Sequence, residues 1–418
     1  MALRLLTWPG LLASVLSRSS APTGTSNQNV KPPLTSTPGR SSSSAFGRSA
    51  ISTDLTSIRA FTRADVEQVA ALWMRCFRHA EAPAPESLKR YFVDVLLENP
   101  WFDAELAPLV LEHRGEVAGF IGRMHRPMTF RGRPIRCAVA TQLMVDPQRK
   151  LGFAALELVR AMQGGPQDLC YSDGANDNSQ RIWERGGGQS SRLLSFEWTR
   201  SLRPMKSFVL KLGDRGPMTA MARVASGVFE ACTVRLLPRF YHKPQQKLSR
   251  EPADARLILP LLQQVSAGAA LAPVYTLESY DWLLRSAAQA TAFGPLRSVL
   301  VRDSDKTPIG WFVYFVQRGR VARVLQAGAT YGKGKCVLAE LFRDAWEQDA
   351  AVVTGQLDPL LLTELSNAHC EFTCKSMGVL VHAKDVELLS AFNGGDAFLS
   401  RLEGEWWLRF GIDRAEWE

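Results

Sequence analysis

Residues 145–159 read VDPQRKLGFAALELV. An apolar run leads into this stretch, and Arg149, Gly152 and Ala154 stand just ahead of an apolar-periodic segment. A glycine at that place eases the turn from strand to helix. It also removes the side chain where a phosphate must approach backbone N–H groups at a helix start. Arg149 adds a positive charge and Ala154 keeps the next approach open. The loop by itself leaves both readings standing, a structural turn and an anion cradle.

The flanking sequence places the loop in a mixed α/β layer. SIRAFTRADVEQVAALWMRCF predicts a short strand and then a helix, with Thr62 placed to cap it and Asp65 three residues on. PESLKRYFVDVLLE predicts a second helix, and PLVLEHRGEVAGFIGRM two strands around Arg114-Gly115-Glu116. CAVATQLMV runs directly into the loop, whose helix extends from about Gly152 to Met162. DLCYSD is a further strand, and NDNSQRIWER a helix that stops at Gly186-Gly187-Gly188. A similar cycle follows: DARLILPLLQQVSA, TLESYDWLLRSAAQ, a hairpin in RSVLVRDSDKTPIGWFVYFVQRG, then ARVLQAGATYGKGKCVLAELFRDAWEQ, AVVTGQL and DPLLLTELSNAH. The repetition reads as an internal duplication, carried by pattern more than by identity.

The chain has 418 residues, 46% of them hydrophobic, which is enough for two or three domains. Its formal net charge of +9 comes from 50 basic residues interspersed with 41 acidic ones. Without a long Lys/Arg run, that balance suits an anionic small ligand, and neither a nucleic acid nor a membrane is expected as partner. Seven cysteines at irregular spacings form no disulfide framework. Cys370 and Cys374 lie near His369, but no second pair completes a zinc pattern, so no metal is expected. Residues 1–55, rich in Ser and Pro and without an acid before Asp54, read as a disordered basic tail. A transit-type leader and a poor secretory signal are the alternatives, and the odd cysteine count favours a cytoplasmic protein. A helical linker is expected over 203–252, including TAMARVASGVFEACTVRLL.

Two other phosphate loops are excluded. A Walker loop needs Gly-Lys-Ser/Thr, whereas GATYGKGKC leads to Cys336, and no G-x-G-x-x-G opens the first βα unit.

RKLGFA (Arg149 to Ala154) resembles the Arg/Gln-x-x-Gly-x-Gly/Ala signature of the GNAT acetyltransferases. LMVDPQ is similar to the strand leading into that loop. NDNSQRIWERGGG resembles the later N-x-x-A-x-x-L-Y-E-x-x-G-F motif: Asn176 falls on the asparagine, Ser179 on the alanine, Ile182 on the leucine, Trp183 on the tyrosine and Glu184 on the glutamate. Gly187 falls on the glycine and Gly188 replaces the aromatic. The resemblance covers 56–202. The second half, 253–418, resembles a degenerate copy, with Tyr331 at the Arg/Gln position, Gly334 keeping the glycine and Cys336 replacing the small residue.

The resemblance implies two tandem GNAT-like domains, each a mixed, mostly antiparallel sheet flanked by helices, hence an α/β (α+β) fold. It implies an N-acyltransferase taking acetyl-CoA as acyl donor and an amine as acceptor, by direct attack. The coenzyme would be held by backbone groups of Leu143 and Val145, by the loop Arg149, Lys150, Leu151, Gly152, Phe153 and Ala154, and by Asn176 and Trp183. Trp183 stands where the family's tyrosine protonates the departing thiolate, and CAVATQLMV carries no carboxylate base. Tyr171 and Asp173 are therefore the catalytic candidates, with Glu112 nearby in pattern. An acyl-CoA-binding sensor without turnover, and an aminoacyl transferase using a groove between the two halves, are the alternative functions. EGEWW near the end reads as an aromatic pair capping a core or lining an interdomain cleft.

Overall fold

The computed structural model describes residues 56–212, 248–374 and 378–408. The residues expected to form the basic tail, and the helix expected within 219–237, lie outside them.

Strand β1 (Thr56–Ala60) is followed by a tight turn into α1 (Val66–Trp73). The expected cap is present: the Asp65 carboxylate accepts the Thr62 N–H (2.9 Å) and hydroxyl (2.8 Å), and is clamped bidentately by Arg59. α1 continues as a wider π turn over Met74–Arg78, which brings Phe77 and Arg78 round toward the sheet. α2 (Glu86–Leu96) buries Leu88, Phe92, Val95 and Leu96 against the core. The hairpin of β2 (Leu109–His113) and β3 (Glu116–Phe130) turns on Arg114 and Gly115, both at positive φ. Then come β4 (Arg133–Val145), α3 (Ala154–Gln163), β5 (Leu169–Ala175), α4 (Asp177–Gly186), β6 (Gln189–Ser191), β7 (Phe196–Ser201) and α5 (Pro204–Leu212).

The later part runs β8 (Ser249–Pro252), α6 (Ala255–Ser266), β9 (Leu271–Pro273), α7 (Leu277–Ala288), β10 (Leu296–Arg302), β11 (Pro308–Phe315) and β12 (Val321–Ala329). It closes with α8 (Gly334–Glu347), β13 (Val352–Gln356), α9 (Leu362–Asn367), β14 (Glu371–Cys374), β15 (Gly378–Ala383) and α10 (Val386–Gly394).

Two mixed sheets result. The first has the order β1-β2-β3-β4-β5-β15-β6, with β9 added on β3; the second has β14-β7-β13-β12-β11-β10-β8. Each sheet is antiparallel except for one pair, β4 with β5 and β12 with β13, each joined by a crossover helix, α3 or α8. The sheets do not divide the chain at its middle. β15 from the second half enters the first sheet between β5 and β6, while β7 from the first half lies between β13 and β14 in the second. Within the span expected to be linker, β8 instead forms the edge of the second sheet. It is held there by Arg250, which bridges Glu340, Asp344 and Glu347.

Three apolar clusters fill the layers. The largest gathers α1, α2, α6, α7 and the final described residues Leu402 and Trp406–Leu408. A second lies under α8. A third lies between the first sheet and the pair α3 and α4, and includes Leu158, Val159 and Trp183.

Candidate functional site

The parallel pair β4 and β5 is bonded only along Cys137–Val139 against Leu169–Tyr171. Beyond it the strands part. On its other edge β4 carries a bulge: Phe120 faces Met144 and Gly122 faces Thr141, so Gln142 and Leu143 together oppose Ile121. Gln142 adopts φ 50°, a left-handed conformation that costs a non-glycine residue about 1–3 kcal/mol. A cavity of about 510 Å³ occupies the gap, lined by Ala140 to Leu143 from β4 and by Ser172, Gly174 and Ala175 from β5.

Two polar atoms on this wall lack a protein partner. Thr141 is 3% exposed and Gln142 8%, yet neither Thr141 Oγ1 nor Gln142 Oε1 has a hydrogen bond. The Gln142 amide nitrogen is engaged, donating to the Tyr91 hydroxyl at 2.9 Å. Both atoms are covered, so the strained bulge carries unsatisfied polar groups beside the cavity.

The loop quoted above lies at the end of β4. Arg149 N–H donates to Asp146 C=O (3.2 Å), Leu151 N–H to Arg149 C=O (2.8 Å) and Ala154 N–H to Leu151 C=O (3.2 Å). The N–H groups of Gly152, Phe153, Ala155 and Leu156 make no hydrogen bond among the described residues, and they gather at the positive end of α3. A Cβ placed on Gly152 would meet nothing within 4 Å, and its φ is not positive, so neither packing nor backbone requires a glycine there. The Arg149 guanidinium does not point free into this cradle. It pairs with Glu116 and Asp146 and donates to the His113 carbonyl, so it pins the loop to the β2–β3 turn. Lys150 and Phe153 are exposed, Leu151 is half-buried and Ala154 is buried.

Leu143, Asn176 and Trp183 line the cavity; the carbonyl of Val145 accepts the Cys76 thiol at 3.4 Å. Asn176 caps α4, its side-chain oxygen accepting the Ser179 N–H at 2.9 Å. Trp183 donates its indole N–H to the Val381 carbonyl on β15 at 3.1 Å, a fixed structural bond. A Cβ on Gly188 would lie 2.1 Å from that indole nitrogen. The two departures from the motif, Trp for Tyr at 183 and Gly for the aromatic at 188, are thus one packing solution.

The residue that sequence reasoning missed is Glu405. It lines the cavity, is buried, and accepts a hydrogen bond from the Ser172 hydroxyl. Its backbone is fixed by Asp173, whose carboxylate oxygen Oδ1 accepts the N–H groups of Glu405 (2.6 Å) and Trp406 (3.1 Å). Gly404 makes this possible, since a Cβ there would lie 2.1 Å from the Asp173 carboxylate. Asp173 and Tyr171 do not line the cavity. Tyr171 faces the core, its ring 5.7 Å from Phe392, and burial pushes its phenol well above the ordinary value. Glu112 is bound to Arg59 at the start of the fold, away from the cavity wall. The pattern EGEWW carried the signal for Glu405, an acid among aromatics, without saying which strand it would meet.

At the corresponding loop of the second sheet, the start of α8 is covered. A Cβ on Gly334 would touch Glu364 of α9 and Leu361 just before it, at 3.1 Å each. Among the described residues no group of three His, Cys, Asp or Glu side chains converges as metal ligands, and no helix is long and apolar enough to cross a membrane.

An antiparallel sheet broken by one splayed parallel pair, with a bulged fourth strand running into an amide-rich loop, is the GCN5-related N-acetyltransferase (GNAT) acyltransferase fold, and this chain has it. The similarity to solved structures spans most of its length. A GCN5-related N-acetyltransferase from Anabaena variabilis is 13% identical, with a TM-score of 0.52, covering 79% of this chain and 73% of that one. One from Kribbella flavida is 13% identical with a TM-score of 0.51, covering 79% and 71%. A protein from Enterococcus faecalis described as a probable N-acyltransferase is 10% identical with a TM-score of 0.51, covering 78% and 72%. No family model matches the sequence, and no curated protein does.

Proposed function

We propose that the chain is an acyl-CoA-dependent N-acyltransferase with one coenzyme site, in the first sheet, and that acetyl-CoA is its donor. The observation that carries this is the open gap between β4 and β5, lined by Thr141, Gln142, Leu143 and Asn176, together with four unpaired N–H groups in the loop that follows β4. The pyrophosphate would lie on the amides of Gly152 to Leu156, where the helix dipole favours an anion. The pantetheine arm would run up the gap as an added strand, meeting Thr141, Leu143 and Asn176. The tandem arrangement then has a division of labour, with the second half holding no coenzyme but supplying β15 and the 400–408 segment that carries Glu405.

Glu405 is the base in this reading. An amine arriving as an ammonium gives one proton to the Glu405 carboxylate. The freed nitrogen attacks the thioester carbonyl, and the C–S bond breaks as the C–N bond is completed. The attacking nitrogen gives its second proton to the departing thiolate through water, and Glu405 releases the proton it took to solvent. Trp183 takes no part as an acid, because its only proton is bound to Val381. Positioning and hydrogen bonds to the carbonyl oxygen supply the remainder of the acceleration.

The test is a melting curve with and without millimolar acetyl-CoA. Stabilisation by mass action is expected, and Gly152→Glu, which places a carboxylate in the cradle, removes it. An unshifted wild type overturns the proposal.

A further inference from the structure

The two ends of the cavity belong to different parts of the molecule. On one side its wall is Ile121, Ala140, Val159, Ala175, Trp183 and Leu380, all from the cluster beneath α4 and α3, the latter being the helix that follows the amide-rich loop. On the other side it is Trp73, Phe77, Arg78 and Phe293, with Glu405 between. A donor entering from the cradle uses the first side, so the second is left for the acceptor.

That side has a definite chemistry. Trp73 and Phe77 stand with ring centroids 5.4 Å apart, and Phe77 is 49% exposed at the rim. Phe293 is held by a stacked Trp406, centroids 5.1 Å apart, so the residue after Glu405 fixes the aromatic wall and the carboxylate together. Among these lining residues the carboxylate is that of Glu405; Gln142 lines the cavity too, with its unpaired Oε1 covered. An ammonium carries three donors and a charge; aromatic walls add to its attraction. Arg78 on the same wall stacks on Trp73, its guanidinium carbon 5.6 Å from the ring centroid.

Resting on the transferase reading above, we infer that the acceptor is a primary monoamine on a flat apolar body, its ammonium at Glu405 and its body against Trp73, Phe77 and Phe293. Polyamines and small hydrophilic amines do not fit this wall. Nor does a long acyl chain, which would have to pass the carboxylate to reach the rings.

Titration calorimetry of the full chain with 2-phenylethylamine, without coenzyme, tests this directly. Saturable binding is expected. 2-Phenylethanol, which lacks the charge, and putrescine, which has a second charge and no ring, should each bind roughly tenfold more weakly or worse. Phe77→Ala, at the exposed rim, and Glu405→Gln should each weaken the amine by a similar factor. Putrescine binding as well as 2-phenylethylamine, or no binding of the aromatic amine, overturns the inference. So does hexanoyl-CoA binding more tightly than acetyl-CoA and excluding the amine. The acetyl-CoA melting shift separates the two claims. A shift without amine binding leaves the transferase and removes this acceptor; amine binding without a shift keeps the amine site and removes the transferase.

Discussion

The Ser172 hydroxyl on β5 donates a hydrogen bond to the carboxylate of Glu405, a residue 233 positions further along the chain. The bond joins the strand that forms one wall of the cavity to the segment that follows α10. It places a carboxylate beside the point where β4 and β5 part, on the cavity wall.

Glu405→Gln preserves the shape and the Ser172 contact but cannot take a proton. Turnover with an accepted amine should fall by about 10²–10⁴-fold, the usual contribution of general base catalysis. The acetyl-CoA melting shift should persist, because the cradle is untouched. Ser172→Ala should cost far less, since it removes an orienting hydrogen bond and leaves the base. Steady-state rates beside melting curves check both; equal losses in the two variants would mean that Glu405 acts through structure.

Two residues earlier, Glu403 is wholly enclosed, accepting Gln326 at 2.7 Å and the N–H of Ser400 at 2.9 Å. Burial pushes its carboxyl from the ordinary 4.5 up to about 8, the nearby Arg126 offsetting only part of the rise. A raised folded-state value means that the folded chain keeps a proton which the unfolded chain has released. The stabilisation is full below about pH 4.5 and is lost as pH rises through about 8. The melting temperature should therefore fall between pH 5 and 8, and Glu403→Gln should flatten that slope. Parallel slopes in wild type and variant would contradict it.

Much of the first sheet was legible because its signals are local. The Thr62–Asp65 cap, the Arg114-Gly115 turn and the α3 and α4 boundaries follow from spacing within a few residues. β15, β7 and Glu405 were not legible, because their partners are distant in sequence. Gly378–Ala383 is a short apolar run that any sheet edge could accept. Arg149 shows a different limit: its charge was visible, while its engagement by Glu116 and Asp146 was not.

Gly152 lies two residues ahead of α3 in open space, whereas Gly334 is the first residue of α8 and is covered by Glu364 and Leu361. Calorimetry should give one acetyl-CoA per chain. Glu364 occupies the anion-favouring end of α8, so Gly334→Glu should leave coenzyme binding unchanged, whatever it does to stability, whereas Gly152→Glu abolishes it. Two sites per chain would contradict this assignment.

Trp183 and Gly188 should be energetically coupled. Gly188→Ala forces a Cβ against the indole and should destabilise by about 1–3 kcal/mol. Trp183→Ala removes a buried ring and should cost about 3–5 kcal/mol. With the indole gone, the added methyl loses its nearest obstacle, although Gln163 Nε2 would still lie 2.8 Å from it. A double-mutant cycle from denaturant unfolding should show coupling of about 0.5 kcal/mol or more. Simple additivity would mean that the motif's two departures are independent.

Asp173, read from the sequence as a catalytic candidate, acts in this structure on Glu405. One of its oxygens accepts the Glu405 and Trp406 N–H groups, and its other contact fixes Gly404 as a glycine. Removing it by Asp173→Ala leaves two buried N–H groups without that acceptor, which costs about 1–3 kcal/mol for each that stays unpaired. Asp173→Asn keeps one side-chain oxygen and should retain most of the stability. If Asp173 only positions the base, Asp173→Asn should lower kcat modestly with the KM for acetyl-CoA unchanged. The acidic limb of its pH–rate profile should stay where the wild type has it, because Glu405 still takes the proton. A proton-transfer role for Asp173 itself would behave otherwise: Asp173→Asn would then lose that limb and fall as far as Glu405→Gln. Profiles of the two variants, taken with the same amine, distinguish a group that holds the base from the base.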